Sequence, residues 1–325
     1  MNTKQMNGND TESAPPPKPT SLVMINIAVV FFGIAGVLIG FVNADAHITA
    51  LARYGIASLA LAFTLVYKYR GNMSALKINS LAELKPLIIS GALLAMHGFA
   101  FIAAIQSAGV SFAVITFFAT MSTATIGINA ILCRSLPGKK SILVLLLLLI
   151  GILAGDITVI SRYSAGVGGI IWGLISGITY ALRIIILNNF SNTKSMRKSP
   201  PKMIYVFYEQ SVAAIIILIS ILNPFTSFTL TAIYQLAVLD MVLLFVLAVI
   251  CTACANVWFF KGQRGLEPNA VAAVSCMELV YALSLTAVVL GDTPQDSQII
   301  GASIVILALL VNSGLFEEQN RQPAL

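Results

Sequence analysis

Among the ionisable side chains that fall inside long apolar segments of this sequence, four are candidates for chemistry: His97, Arg183, Glu209 and Glu278. A charged side chain facing lipid costs at least ~2.5–3.5 kcal/mol, so such groups usually face protein or water and mark function. Glu278 lies near the centre of the segment 268–290. Its neighbours at helical spacing are Val274, Ser275, Tyr281 and Ala282, a mostly small or polar set compatible with a cavity wall. As a carboxylate it could hold a substrate ammonium or a transported proton. The rival role is a neutral acid bonded to another helix. His97 is alone among Leu93, Leu94, Ala100 and Phe101. It is either a hydrogen-bonded structural residue or a proton relay or substrate contact, because imidazole gains and loses protons near neutral pH.

Glu209 follows Tyr205 and Tyr208 and precedes Gln210. Two tyrosines and a carboxylate within about one turn suit a cation. The alternative is an ion pair with Arg183, the nearest plausible partner by depth. Arg183 extends a stripe of Trp172, Ser176, Thr179 or Tyr180, and itself, on one helical face. The adjacent face carries Gly169, Gly173 and Gly177, a spacing that admits another helix closely. Arg183 could instead snorkel to headgroups. Thr116, Thr120 and Thr123 share a face of a preceding segment, where hydroxyls either line a cavity or bond their own helix. Trp258 is a belt aromatic or a cavity wall. Cys251 and Cys254 form a C-x-x-C without a second pair or a thioredoxin-like setting and read as packing residues.

The elements that position these residues follow from composition. The chain has 325 residues, 58% hydrophobic and 10% charged. A soluble domain is about 45–50% apolar and about 25% charged, so a soluble globule is excluded. Apolar segments recur at 22–42, 48–67, 86–106, 110–132, 141–160, 167–188, 203–222, 239–260, 268–290 and 298–316. The second carries Arg53, and Asp156 lies near enough to the end of the fifth to reach water. Each segment is long enough to cross a bilayer. Residues 1–21 and 317–325 read as polar tails, the first rich in proline.

Ten spans place both ends on one side. With that side cytoplasmic, only Arg53, Arg162 and Arg183 of the 19 basic residues fall outside the inner loops and tails. This is the positive-inside bias, and it accounts for the net charge of +6 without nucleic acid. The chain also repeats weakly: Ala113 to Pro137 overlies Val271 to Gln295, Gln106 overlies Gln263, and Phe32-Gly33 overlies Trp172-Gly173. Two tandem halves of five spans each, 22–160 and 166–316, must be inverted relative to one another. The expected fold is therefore an all-α membrane protein of ten transmembrane helices in two inverted five-helix repeats.

Several segments together resemble the EamA-type branch of the drug/metabolite transporter superfamily. They are Phe32-Gly33, Ala52-Arg53-Tyr54, His97-Gly98-Phe99-Ala100-Phe101, Ser107-Ala108-Gly109-Val110-Ser111, Met277-Glu278-Leu279-Val280-Tyr281-Ala282, and Gly291-Asp292-Thr293-Pro294 through Ile300-Gly301-Ala302. Leu279 stands where the family has proline. The resemblance implies a central cavity lined by helices 1, 3, 4, 6, 8 and 9, a gating role for helix 7, export of small metabolites such as amino acids, amines or nucleobases, and residence in a bacterial inner membrane.

The expectation is a secondary transporter of a small polar or zwitterionic metabolite, monomeric or homodimeric, with the bilayer as its solvent and protons as the candidate coupling ion. The expected substrate contacts are His97, Thr120, Trp172, Ser176, Tyr180, Trp258, Glu278 and Tyr281, with Arg183 and Glu209 in coupling or gating. No cofactor, metal site or nucleic-acid partner is expected. Metalloprotease, hydrolase and P-loop motifs do not occur, which disfavours an enzyme. A structural or sensing membrane protein and a sugar-nucleotide or nucleobase carrier are the alternatives.

Overall fold

The computed structural model describes residues 19–72, 76, 78, 81–132, 134, 136–162, 165–191, 202–222, 236–262, 268–291 and 293–313. Every regular element among these is helical. The first five are α1 (Pro19–Phe41), α2 (Ala46–Tyr69), α3 (Leu81–Ala108), α4 (Val110–Leu132) and α5 (Lys139–Arg162). Then come α6 (Ala165–Ser191) and α7 (Lys202–Leu222). Helix α8 runs Val238–Ala248, passes through a π-helical turn Val249–Cys254 and ends as Ala255–Gly262. Helix α9 is Pro268–Leu285 with a π-helical end Thr286–Leu290, and α10 is Asp296–Ser313. Each apolar segment of the sequence thus coincides with a helix, within a few residues at either end.

Seven helices among the described residues are long and apolar enough to cross a membrane: Thr20–Phe41, Ala46–Tyr69, Glu83–Ala108, Val110–Leu132, Val167–Leu187, Met203–Leu222 and Val238–Gly262. Met277–Leu290 and Asp296–Asn312 are shorter apolar helices. The outer surface carries large bare side chains such as Phe63, Leu59 and Val288, at 75%, 70% and 82% exposure. Apolar surface on this scale is stable only against lipid. The protein is an integral membrane protein.

Turns follow from local chemistry. Gly109 takes a φ of +86° and alone separates α3 from α4, a conformation that glycine adopts without a Cβ clash. Asp45 caps α2 by accepting the His47 backbone N–H at 2.8 Å.

The helices pack in a reciprocal pattern. Helix α3 lies along α6 and α7, and α8 lies along α1 and α2. Helix α4 packs on α6, and α9 packs on α1. Helix α2 meets α7, and α5 meets α10. Exchanging α1–α5 with α6–α10 maps this set of contacts onto itself: the first four pairs interchange, and the α2–α7 and α5–α10 contacts are each their own counterpart. The core is densest around α3 and the first half of α4, where Val110 to Thr120 are all buried.

The polar tail 1–18, the C-terminal tail from residue 314, the basic loop residues Lys194, Arg197, Lys198 and Arg264, and Asp292 lie outside the described residues.

Candidate functional site

Polar side chains inside the bundle meet along the seam between α3 and α6. Ser90, His97 and Phe101 of α3 sit at spacings that share one helical face. Helix α6 offers Trp172, Ser176, Tyr180 and Arg183, the stripe expected from the sequence. The two faces meet in opposite chain order, so the helices run antiparallel. Trp172 packs edge-on to Phe99 at 5.4 Å. His97 Nδ1 lies 3.0 Å from Ser176 Oγ and 3.3 Å from its carbonyl. The imidazole also packs 4.6 Å from the Tyr180 ring and 5.1 Å from Phe117. His97 is therefore a hydrogen-bonded residue within an aromatic nest, and its ring is the centre of the seam.

One end of the seam is closed by an ion pair. Arg183 donates from Nε and Nη2 to the two carboxylate oxygens of Glu209, both at 2.7 Å. Ser90 donates its hydroxyl to the same carboxylate. The guanidinium also sits 5.2 Å from the Tyr180 ring centroid. Arg183 and Glu209 are 5% and 2% exposed, which rules out snorkelling to headgroups. The ion-pair alternative for Glu209 is the arrangement observed, and its carboxylate is occupied by protein.

Glu278 differs. It is partly buried on α9, and no described residue gives it a hydrogen bond or an ion pair. Tyr281, one turn along α9, lies against Gly33 of α1, where an added Cβ would come 2.9 Å from the Tyr281 Cβ.

The glycine face of α6 packs on α4 and its approach. A Cβ at Gly169 would overlap the Ala108 side chain, and one at Gly173 or Gly177 would fall 2.8 or 2.6 Å from Thr116 or Thr120. Thr120 thus stands at the α4–α6 contact, with its hydroxyl buried and without a hydrogen-bond partner. Thr179 bonds its own helix carbonyls. Trp258 packs 5.6 Å from Phe31 and lines a groove with Thr20, Val23, Met24 and Ile27 of α1. It joins none of the His97 or Tyr180 ring contacts. Cys251 and Cys254 are both free thiols.

Arg53 is the residue that sequence reasoning left out of the site. Its Nε donates to Thr252 Oγ1 at 3.1 Å. Thr252 lies in the π turn of α8 and donates in turn to the Leu247 carbonyl at 2.8 Å. The signal was present, since Arg53 is an ionisable group inside an apolar segment. Ser90 and Thr252 had no such signal: a hydroxyl in an apolar helix is unremarkable until its distant partner is known.

The family model for EamA-like transporters matches residues 167–314, which span α6 to α10. This second half of the chain is similar to the EamA-like transporters. In this EamA-like region Ser176, Glu209 and Thr252 meet His97, Ser90 and Arg53 from the first half. The site is thus built between the EamA-like half and the helices before it. A protein of known crystal structure is 12% identical and aligns over 94% of this chain and 100% of its own, with a TM-score of 0.63. That likeness is one of fold. No curated protein matches the chain.

Proposed function

We propose that this protein is an EamA-type secondary transporter that carries a small polar or zwitterionic metabolite of the amino acid or amine class across the cytoplasmic membrane by alternating access. The observation that carries the reading is the contrast between two intramembrane carboxylates. Glu209 is neutralised by a two-point arginine contact and a serine. Glu278 has no described partner, although an unpaired carboxylate in a span is costly. A group retained at that cost suits a ligand ammonium or a transported proton.

The reciprocal packing of α1–α5 and α6–α10 supports two inverted five-helix repeats with the cargo between them. Ten spans with both termini cytoplasmic, proton coupling and outward transport complete the reading, the direction resting on family resemblance. His97, Ser176, Tyr180, Trp172 and Tyr281 would form the walls, with Glu278 as the anchor. In this reading Thr120 and Trp258 would lie at the margins of the site, and Arg183 with Glu209 would serve in coupling or gating, a role their ion pair between α6 and α7 supports.

The test is a thermal-shift screen of the purified protein in detergent against amino acids, quaternary amines, polyamines and nucleobases. A ligand at about 100 times its Kd adds ~2.7 kcal/mol of stability. The expected result is a shift for amino acids or amines that Glu278→Gln removes. A shift only for nucleobases, or one that survives in the variant, overturns the reading.

A further inference from the structure

The reciprocal packing makes the trio α8, α1 and α2 the counterpart of α3, α6 and α7. Each trio is tied by one buried carboxylate. In α3, α6 and α7 it is Glu209, which accepts from Arg183 and from Ser90. In the counterpart it is Asp240, in the first turn of α8 and 8% exposed. An acid there is favoured by its own helix end. Its Oδ1 nevertheless reaches the other half of the chain and accepts the Asn43 backbone N–H at 3.0 Å. Asn43 lies in the short link 42–45 between α1 and α2. Gln106 of α3 also holds this link, donating from Nε2 to the Ala44 carbonyl at 2.7 Å. Helix α3 shows where the two ties lie. Ser90 and Gln106 are 16 residues apart, roughly 24 Å along the axis. His97 falls between them, seven residues from Ser90 and nine from Gln106. The seam centred on His97 thus has one carboxylate tie toward each end of the bundle. The ties are unequal. Breaking the two-point contact of Arg183 with Glu209 strands two ions that are 5% and 2% exposed. Among the described residues Asp240 accepts a single bond, and its donor is a neutral main-chain N–H. A cavity of about 330 Å³ lies between the last turn of α1, the link, and Ile105 and Gln106 of α3, so the link has room to move.

We infer that Asp240 is the latch of a gate at the link end of the bundle: its release from Asn43 opens the His97 seam to one side while the Arg183–Glu209–Ser90 tie keeps the other side shut. This deepens the transporter reading and rests on it for what the gate admits. A carboxylate that leaves Asn43 meets water at the mouth it opens, so the step strands no charge. The link end is therefore the side that opens first.

The experiment uses the full chain in detergent without cargo and follows the labelling rate of single cysteines by a small water-soluble methanethiosulfonate. The link-end reporter is the native Cys251, 1% exposed and eleven residues beyond Asp240 on α8, in a background of Cys133→Ala, Cys254→Ala and Cys276→Ala. The opposite reporter is Val206→Cys on α7, at a position 1% exposed and three residues before Glu209, with Cys251→Ala added. A thiol buried in the closed form is labelled in proportion to the population of the open form, so Asp240→Ala should speed labelling of Cys251 by about tenfold or more. The Val206→Cys thiol should keep its rate. Asp240→Asn keeps an oxygen for the Asn43 N–H without the charge. It should move Cys251 the same way by a smaller factor, and it covers the case of an alanine variant that fails to fold. Unchanged labelling of Cys251 in Asp240→Ala, or in Asp240→Asn where that alone folds, overturns the latch, because Asp240 then only fastens the link. Faster labelling at both reporters overturns it too, because the bundle is then loosened as a whole. Since no cargo is used, an empty thermal-shift screen beside the expected labelling sinks the transporter reading while the gate stands.

Discussion

Arg183 and Glu209 meet through two parallel hydrogen bonds of 2.7 Å between α6 and α7, buried from lipid and water. Ser90 of α3 adds a third bond to the same carboxylate, so one charged pair ties three helices together. Removing one member leaves the other charged without a partner. That situation costs about 3–5 kcal/mol in buried pairs. Glu209→Gln and Arg183→Gln should each lower stability in a denaturant titration in detergent by about this amount. The double variant Arg183→Met with Glu209→Leu should lose much less than the sum. Additive losses would mean that the two side chains act independently.

Glu278 should behave in the opposite way. It has no described partner to strand, so Glu278→Gln should fold and elute from size exclusion as wild type does. Transport in proteoliposomes should fall to background. A variant that transports normally removes Glu278 from the mechanism, and one that fails to fold reveals a structural role instead.

The glycines of α6 set how closely it approaches α4. A side chain at Gly177 would meet Thr120 at 2.6 Å and the Met121 backbone nitrogen at 2.8 Å. Gly177→Val should therefore destabilise by about 1–3 kcal/mol or more through overpacking. At Gly127 of α4 an added Cβ would meet nothing within 4 Å, so Gly127→Ala is the matched control and should be neutral or slightly stabilising. Comparison of the two melting temperatures checks this.

His97 and Ser176 share a buried hydrogen bond at 3.0 Å. Ser176→Ala should cost about 1 kcal/mol, the ordinary net value of such a bond. His97→Phe should cost more, because it also leaves the Ser176 hydroxyl without this partner. If both variants are as stable as wild type while transport is lost, His97 acts on cargo rather than on packing.

The helices were legible in the sequence because lipid imposes a simple rule. A span must be apolar along its length and must satisfy its own backbone hydrogen bonds, so a long run of Leu, Ile, Val and Ala locates a helix without any knowledge of its neighbours. The glycine spacing of α6 and its polar stripe were legible for the same reason: both are periodicities within one helix. Glu278, His97, Arg183 and Glu209 stood out because charge in an apolar run is expensive wherever the run ends up. What each charge does was decided elsewhere. Glu209 is filled by an arginine 26 residues away and by a serine 119 residues away, and Arg53 is held by a threonine 199 residues away. Hydrogen bonds are short and directional, so only the packing of α2, α3, α6, α7 and α8 could determine which polar groups are satisfied within the protein and which remain open.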